Sequence, residues 1–255
     1  MGLDEGPGSA WVIDLDGVMW LDGVAVAGAA AAVERLRAAG RSVTFATNFS
    51  YAPVAVTEQR LRRIGVEAAG AVVTSAIAAA TLVSVGERVL VCGGPGIVEA
   101  VTERGARVVE GGADVVVVGY DPDFDYGRLA AASGEVIRGA RLIGTNDDPT
   151  LPTPDGPMPG GGSLLAAVAY ASGRTPLVAG KPHPPMADLV RGRVGSTGVV
   201  VGDRCDTDGG FAETLGFAFG LVLSGSTKVP PTDDAVSISV VAADLAELVD
   251  AVLGA

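Results

Sequence analysis

Four short stretches of this 255-residue chain hold the side chains with which chemistry could be done: "DLDG" (14–17), "ATNFS" (46–50), "GKPHP" (180–184) and "GDRCDTD" (202–208). In the first, two carboxylates stand one residue apart directly after an apolar run. Three readings are open there: a turn, a metal site, or a nucleophile with its proton donor. Asp and Gly are ordinary turn formers, so the stretch says little alone. Together the four stretches supply oxygen ligands for a hard cation, a hydroxyl and an amide for an anion, and a lysine. Phosphoryl transfer to a carboxylate asks for that set: an in-line nucleophile, a divalent ion, donors for the remaining oxygens, and an acid for the leaving group.

Composition removes several rival chemistries. His183 is the only histidine, so a Ser-His-Asp triad or a multi-histidine metal centre is nearly excluded and acid–base work falls to carboxylates. Cys92 and Cys205 lie far apart and match no zinc or CxxC spacing, which points to reduced thiols. Thirty acidic against eighteen basic side chains give a net charge of −12, disfavouring nucleic acid or an anionic membrane as the main partner. No apolar run approaches a membrane span, and MGLDEGPGS lacks the basic start and apolar stretch of a signal peptide. A soluble cytoplasmic protein is the expectation. Of the basic residues only Lys181 and Lys228 are lysines. A lysine kept between glycine and proline turns amid such arginine bias suits a site that takes a compact ammonium.

These side chains need a scaffold that ends strands beside one another. Short β-branched or apolar runs recur at 11–15, 42–46, 72–73, 88–92, 114–118, 142–144, 198–201 and 216–223, with helical patterns between most of them. Ala29, Ala32, Val33 and Leu36 fall at i, i+3, i+4 and i+7, with Gly40 closing the segment. Continuously apolar strands such as "VVVVG" and "GVVVG" argue for parallel sheets covered on both faces, hence an α/β fold. In such sheets ligands bind at the carboxyl ends of the strands, where the four stretches lie. "LVCGGPGIVEA" (90–100) lacks the third glycine of a dinucleotide loop and reads as a tight strand-to-helix turn. The stretch 146–162 is too rich in proline and glycine for helix or interior strand and reads as a long loop, either functional or disordered.

The four stretches, in this order, resemble the haloacid dehalogenase superfamily of aspartate-nucleophile phosphatases. "VVVGYDPDFDYGRL" (116–129), "GARLIGTNDDPTLP" (139–152), "PGGGSLLAAV" (159–168) and "GKPHPPM" (180–186) sharpen the likeness to subclass IIA, which includes p-nitrophenylphosphatases and phosphoglycolate, pyridoxal phosphate and glycerol phosphate phosphatases. The resemblance implies a Rossmann-like doubly wound parallel core with an inserted α/β cap, the core being 1–78 and 177–255 and the cap 79–176. It implies Asp14 as nucleophile, Asp16 as general acid and then base, and Thr47, Asn48 and Lys181 as phosphoryl-binding residues. It implies Mg²⁺ held by Asp14, the backbone carbonyl of Asp16 and Asp203, with Asp208 in support. Position in the cap makes Asn146, Asp148 and the 160–162 glycines, Gly161 at their centre, the candidates for leaving-group choice. Their small or polar character suits a compact or hydroxylated group.

The implied activity is Mg²⁺-dependent hydrolysis of a small phosphorylated metabolite through an aspartyl phosphate, with pairing of two copies through the cap. The alternatives are a phosphotransferase or phosphomutase, and a non-catalytic metabolite-binding relative. The last would be expected to have lost Asp14 or Asp16. Phe49 departs from the family pattern, which often has a second Asn there. His183 falls where the family often has a small polar residue, and is expected to support the loop instead of serving as general base. Cys205, a poor Mg²⁺ ligand, is expected to be a packed residue of its loop.

Overall fold

The computed structural model describes residues 9–254 except 22, 152, 154 and 232–235. The stretch MGLDEGPG and two prolines of the 146–162 segment thus lie outside the described residues. The chain divides into two compact units. The first comprises the described residues of Met1–Thr47, Thr57–Val73 and Ala187–Ala255, and the second Asn48–Val56 and Thr74–Met186. Among the described residues no helix is long and apolar enough to cross a membrane.

The first unit is built on a six-stranded sheet in the order Val240–Ala242, Ala218–Val222, Gly198–Gly202, Ala10–Ile13, Ser42–Thr47 and Val72–Thr74. Ala10–Ile13 is central, pairs in parallel with both neighbours and is wholly buried. This two-sided burial is why it reads as continuous apolar sequence instead of an alternation. From the central strand the chain first winds one way, through 42–47 to 72–74, and later the other way, through 198–202 and 218–222 to 240–242. The reversal creates a switch point beyond the carboxyl ends of Ala10–Ile13 and Gly198–Gly202. The helix Ala29–Ala38 buries Ala29, Ala32, Val33 and Leu36, the residues its periodicity selects, and Gly40 follows with a positive φ of 75°.

The second unit has its own five-stranded sheet, ordered Leu177–Val178, Arg141–Gly144, Val115–Val118, Arg88–Cys92, Arg107–Val108, with every recorded pairing parallel. Leu90, Cys92, Val116, Val118 and Leu142 pack with Ala132 and Val136 of the helix Tyr126–Ile137, and with Leu165 and Val168 of the helix Gly161–Ser172. The strand Arg88–Cys92 passes directly into the helix Pro95–Glu103, which takes Gly94 as N-cap and Pro95 in its first turn.

The segment 146–162 departs from its expectation in two places. Thr150–Leu151 and Met158–Pro159 form a small antiparallel ribbon of their own, and Gly161 and Gly162 open the helix that continues to Ser172. Glycine is needed at that entry because a Cβ on Gly162 would lie 2.3 Å from the backbone of Asp147. The absence of side chains that looked helix-breaking in sequence is what lets the helix start against this loop.

Candidate active site

Three carboxylates converge at the switch point of the first unit. Asp14 follows the central strand, and its backbone N–H still donates to the Val201 carbonyl at 2.9 Å, so the residue sits on the lip of the sheet. Asp203 follows Gly202 of the neighbouring strand. Asp208 returns to the same place through a turn of π-helix, Cys205–Gly209, that leads into the helix Gly210–Leu215. One carboxylate oxygen from each of Asp14, Asp203 and Asp208 lies within 4.8 Å of the others, and all three residues are buried.

Local backbone chemistry holds the cluster. Asp208 Oδ2 accepts the N–H groups of Asp203 and Arg204, each at 3.2 Å, and Asp203 Oδ2 accepts the N–H of Ser226. In the same turn Asp206 points to solvent, where the Arg204 guanidinium holds its carboxyl below the ordinary range. Gly17 is required twice over. Its φ is +87°, and a Cβ there would stand 2.5 Å from Asp203 Oδ2. A Cβ on Gly202 would likewise meet Asp208 Cγ at 2.2 Å. The glycines of "DLDG" and "VGDR" are thus the space into which two of the acids fold.

Buried like charges at this separation are unfavourable until a cation joins them. The donors are all hard oxygens, which suits a divalent ion of the Mg²⁺ or Ca²⁺ type. Asp208, expected in a supporting place, lies inside the cluster. The exposed carboxylate of Asp16 takes a different partner: Asp16 Oδ1 accepts a hydrogen bond of 2.8 Å from the indole Nε1 of Trp20. Thr47, the last residue of the strand Ser42–Thr47, is buried.

Residues 11–107 match the haloacid dehalogenase-like hydrolase family, and residues 178–248 match its HAD-hydrolase-like companion. An acid sugar phosphatase of Staphylococcus haemolyticus is 34% identical over 206 residues, 78% of each chain. The chain belongs to the haloacid dehalogenase-like hydrolases. Among solved structures of this family, a 4-nitrophenylphosphatase of Thermotoga maritima has a TM-score of 0.88 and 30% identity, covering 96% of this chain and 97% of its own. A glycerol phosphate phosphatase of Mycobacterium tuberculosis, solved with magnesium, has a TM-score of 0.86 and 32% identity, covering 94% of this chain and 76% of its own. The same Mycobacterium tuberculosis enzyme was also solved with calcium.

The remaining candidates of this hydrolase lie in the second unit, where Asn48, Lys181, Asn146 and Asp148 form one hydrogen-bonded network. Asn48 Oδ1 accepts the Lys181 N–H at 2.8 Å, and Asn48 Nδ2 donates to the Lys181 carbonyl at 3.0 Å and to Asp148 Oδ2 at 2.8 Å. Asn146 Nδ2 donates to the same Asp148 oxygen at 2.7 Å. Gly180 must be glycine for this to form, because a Cβ would sit 2.5 Å from Asn48 Oδ1. Gly161 faces Asn146 Oδ1 at a comparably tight approach, and Lys181 is buried. His183 Nε2 lies 2.8 Å from Asp147 Oδ2, tying "GKPHP" to the Asn146–Asp148 loop.

Sequence reasoning missed several partners. Trp20 closes on Asp16, Ser226 on Asp203, and Ser75 donates to the Asn48 carbonyl at 2.7 Å. Only Trp20 had a local signal, four residues after Asp16 in the quoted stretch. The others arrive from elsewhere in the chain. Cys92 is buried in the sheet, where desolvation first and the nearby Asp121 charge second push its thiol up to about 11.

Proposed function

We propose that this phosphoric monoester hydrolase uses Mg²⁺ and an aspartyl phosphate on Asp14 to hydrolyse a small sugar or polyol phosphate. The observation that carries the reading is the buried convergence of Asp14, Asp203 and Asp208 at the sheet's switch point. Asp14, Asp203, Asp208 and the backbone carbonyl of Asp16 are the residues that would hold the ion. Bound there, it would neutralise charge on the nucleophile and on the phosphate oxygens.

Asp14 attacks phosphorus: its oxygen–phosphorus bond forms as the ester bond breaks, and Asp16 gives a proton to the departing oxygen. Asp16 then takes a proton from water as the water oxygen bonds to phosphorus and the Asp14–phosphorus bond breaks. Thr47, Lys181 and Asn48 bind the phosphoryl group, Asn48 through its backbone N–H because its side-chain amide is engaged by Lys181 and Asp148. We assign leaving-group choice to the second unit, through Asn146, Asp148 and Gly161. The acid sugar phosphatases and the glycerol phosphate phosphatase among the relatives support a hydroxylated leaving group. The small or polar character of those three positions supports it too.

The test is phosphate release from a panel of sugar, polyol and aryl phosphates, with Mg²⁺ and with chelator, for the wild type, Asp14→Asn and Asp203→Asn. Mg²⁺-dependent release that both variants lose, with kcat/KM highest on a polyol or sugar phosphate, is the expected result. Turnover retained by Asp14→Asn would overturn the mechanism.

A further inference from the structure

Within the first unit, Asp16 stands at the head of a three-residue stack whose other two members, Trp20 and Arg60, have no part in the proposed reaction. Its carboxylate is exposed, and an exposed Asp ordinarily samples several rotamers. Here Oδ1 accepts the Trp20 indole N–H at 2.8 Å. Trp20 itself is only 2% exposed, so its ring is fixed by packing. Backbone contacts bind the pair as well: the Gly17 N–H donates to the Trp20 carbonyl at 2.6 Å, and Asp16 and Trp20 form an isolated β-bridge. Over the indole face lies the Arg60 guanidinium, 4.2 Å from the ring centroid. A cation there is attracted by the ring and draws electron density from it, which makes the N–H a better donor to a carboxylate.

We infer that Trp20, backed by Arg60, is a positioning residue that fixes the orientation of Asp16 as it gives and takes the proton. The inference rests on the reading of Asp16 as general acid. The indole N–H holds the carboxylate in one of its rotamers. The β-ribbon Trp20–Leu21 with Val24–Ala25 thereby serves the chemistry as well as covering the core.

The experiment compares kcat/KM for an alkyl phosphate, whose alkoxide must be protonated as it leaves, with p-nitrophenyl phosphate, whose phenolate needs little help. Both values report the step in which the ester bond breaks. General acid catalysis contributes about 10²–10⁴-fold, and losing its orientation forfeits a part of that, so Trp20→Phe should lower the alkyl value ~10-fold while changing the aryl value less than ~2-fold. Arg60→Gln should show the same selectivity at ~3-fold. In an Asp16→Asn background neither change should have a further selective effect.

Asp16→Asn separates the possible failures. If that variant shows no alkyl-selective loss, the acid role of Asp16 itself falls. If it does and Trp20→Phe depresses both substrates equally or neither, the positioning role of Trp20 falls alone. Should Trp20→Phe fail to fold by circular dichroism, Arg60→Gln decides: alkyl-selective loss supports the stack, and an unchanged ratio overturns it.

Discussion

Asp14→Asn should make the metal-free protein more stable while abolishing its response to Mg²⁺. The reasoning starts from three buried carboxylates whose oxygens lie within 4.8 Å of one another. At an effective dielectric constant near 20, two unit charges at that distance repel by about 3.5 kcal/mol. Replacing Asp14 removes two of the three pairwise repulsions and keeps the side-chain shape. Part of the repulsion is already offset, since Asp203 and Asp208 accept backbone N–H groups. A net gain of roughly 1–3 kcal/mol is therefore expected, or a rise in melting temperature of about 3–10 °C for a domain of this size.

The assay is thermal unfolding near neutral pH, first in chelator and then along a Mg²⁺ titration. The wild type should gain stability as ligand binding dictates, and the variant should gain little. A variant that melts at or below the wild-type temperature in chelator, or that gains as much from Mg²⁺, would refute the view that these acids form one electrostatic unit built for a cation.

Two further outcomes follow from groups away from the cluster. Hydrogen bonds from the Arg88 side chain first, and then from its backbone, hold the Asp114 carboxyl down from 3.8 to about 2. Its folded-state value is depressed, so its contribution is complete above pH ~4 and lost as the pH falls toward 2. Acid titration of stability should be shallower across that window in Asp114→Asn than in the wild type, and equal slopes would count against the pair. For the thiols, burial and a value of about 11 should leave Cys92 unreactive to iodoacetamide at pH 8, while the half-buried Cys205 is modified first. Mass spectrometry of the labelled peptides reads the order directly.

The local signals in this chain were legible because each is a one-dimensional property. Continuous apolar runs mark strands buried on both faces, and the 29–36 periodicity marks a helix with one buried stripe, so the α/β class and the strand ends at Asp14, Thr47 and Asp203 could be read without coordinates. Gly17 and Gly180 could be noticed within their motifs but not explained, since the cause is an approach from another segment. Gly17 gives way to Asp203, nearly two hundred residues on, and Gly180 gives way to Asn48.

Tertiary structure decided which carboxylates converge. Strand order brings Asp14 beside Asp203, and the π-helical turn carries Asp208, not its neighbour Asp206, inward to them, a choice that residue type alone leaves undetermined. It also decided that the side-chain amide of Asn48 is spent on Lys181 and Asp148, and that an indole with an arginine on its face stands behind Asp16. Sequence fixes what each group can donate or accept. Which partner it meets depends on chain segments made neighbours by the packing of the sheets.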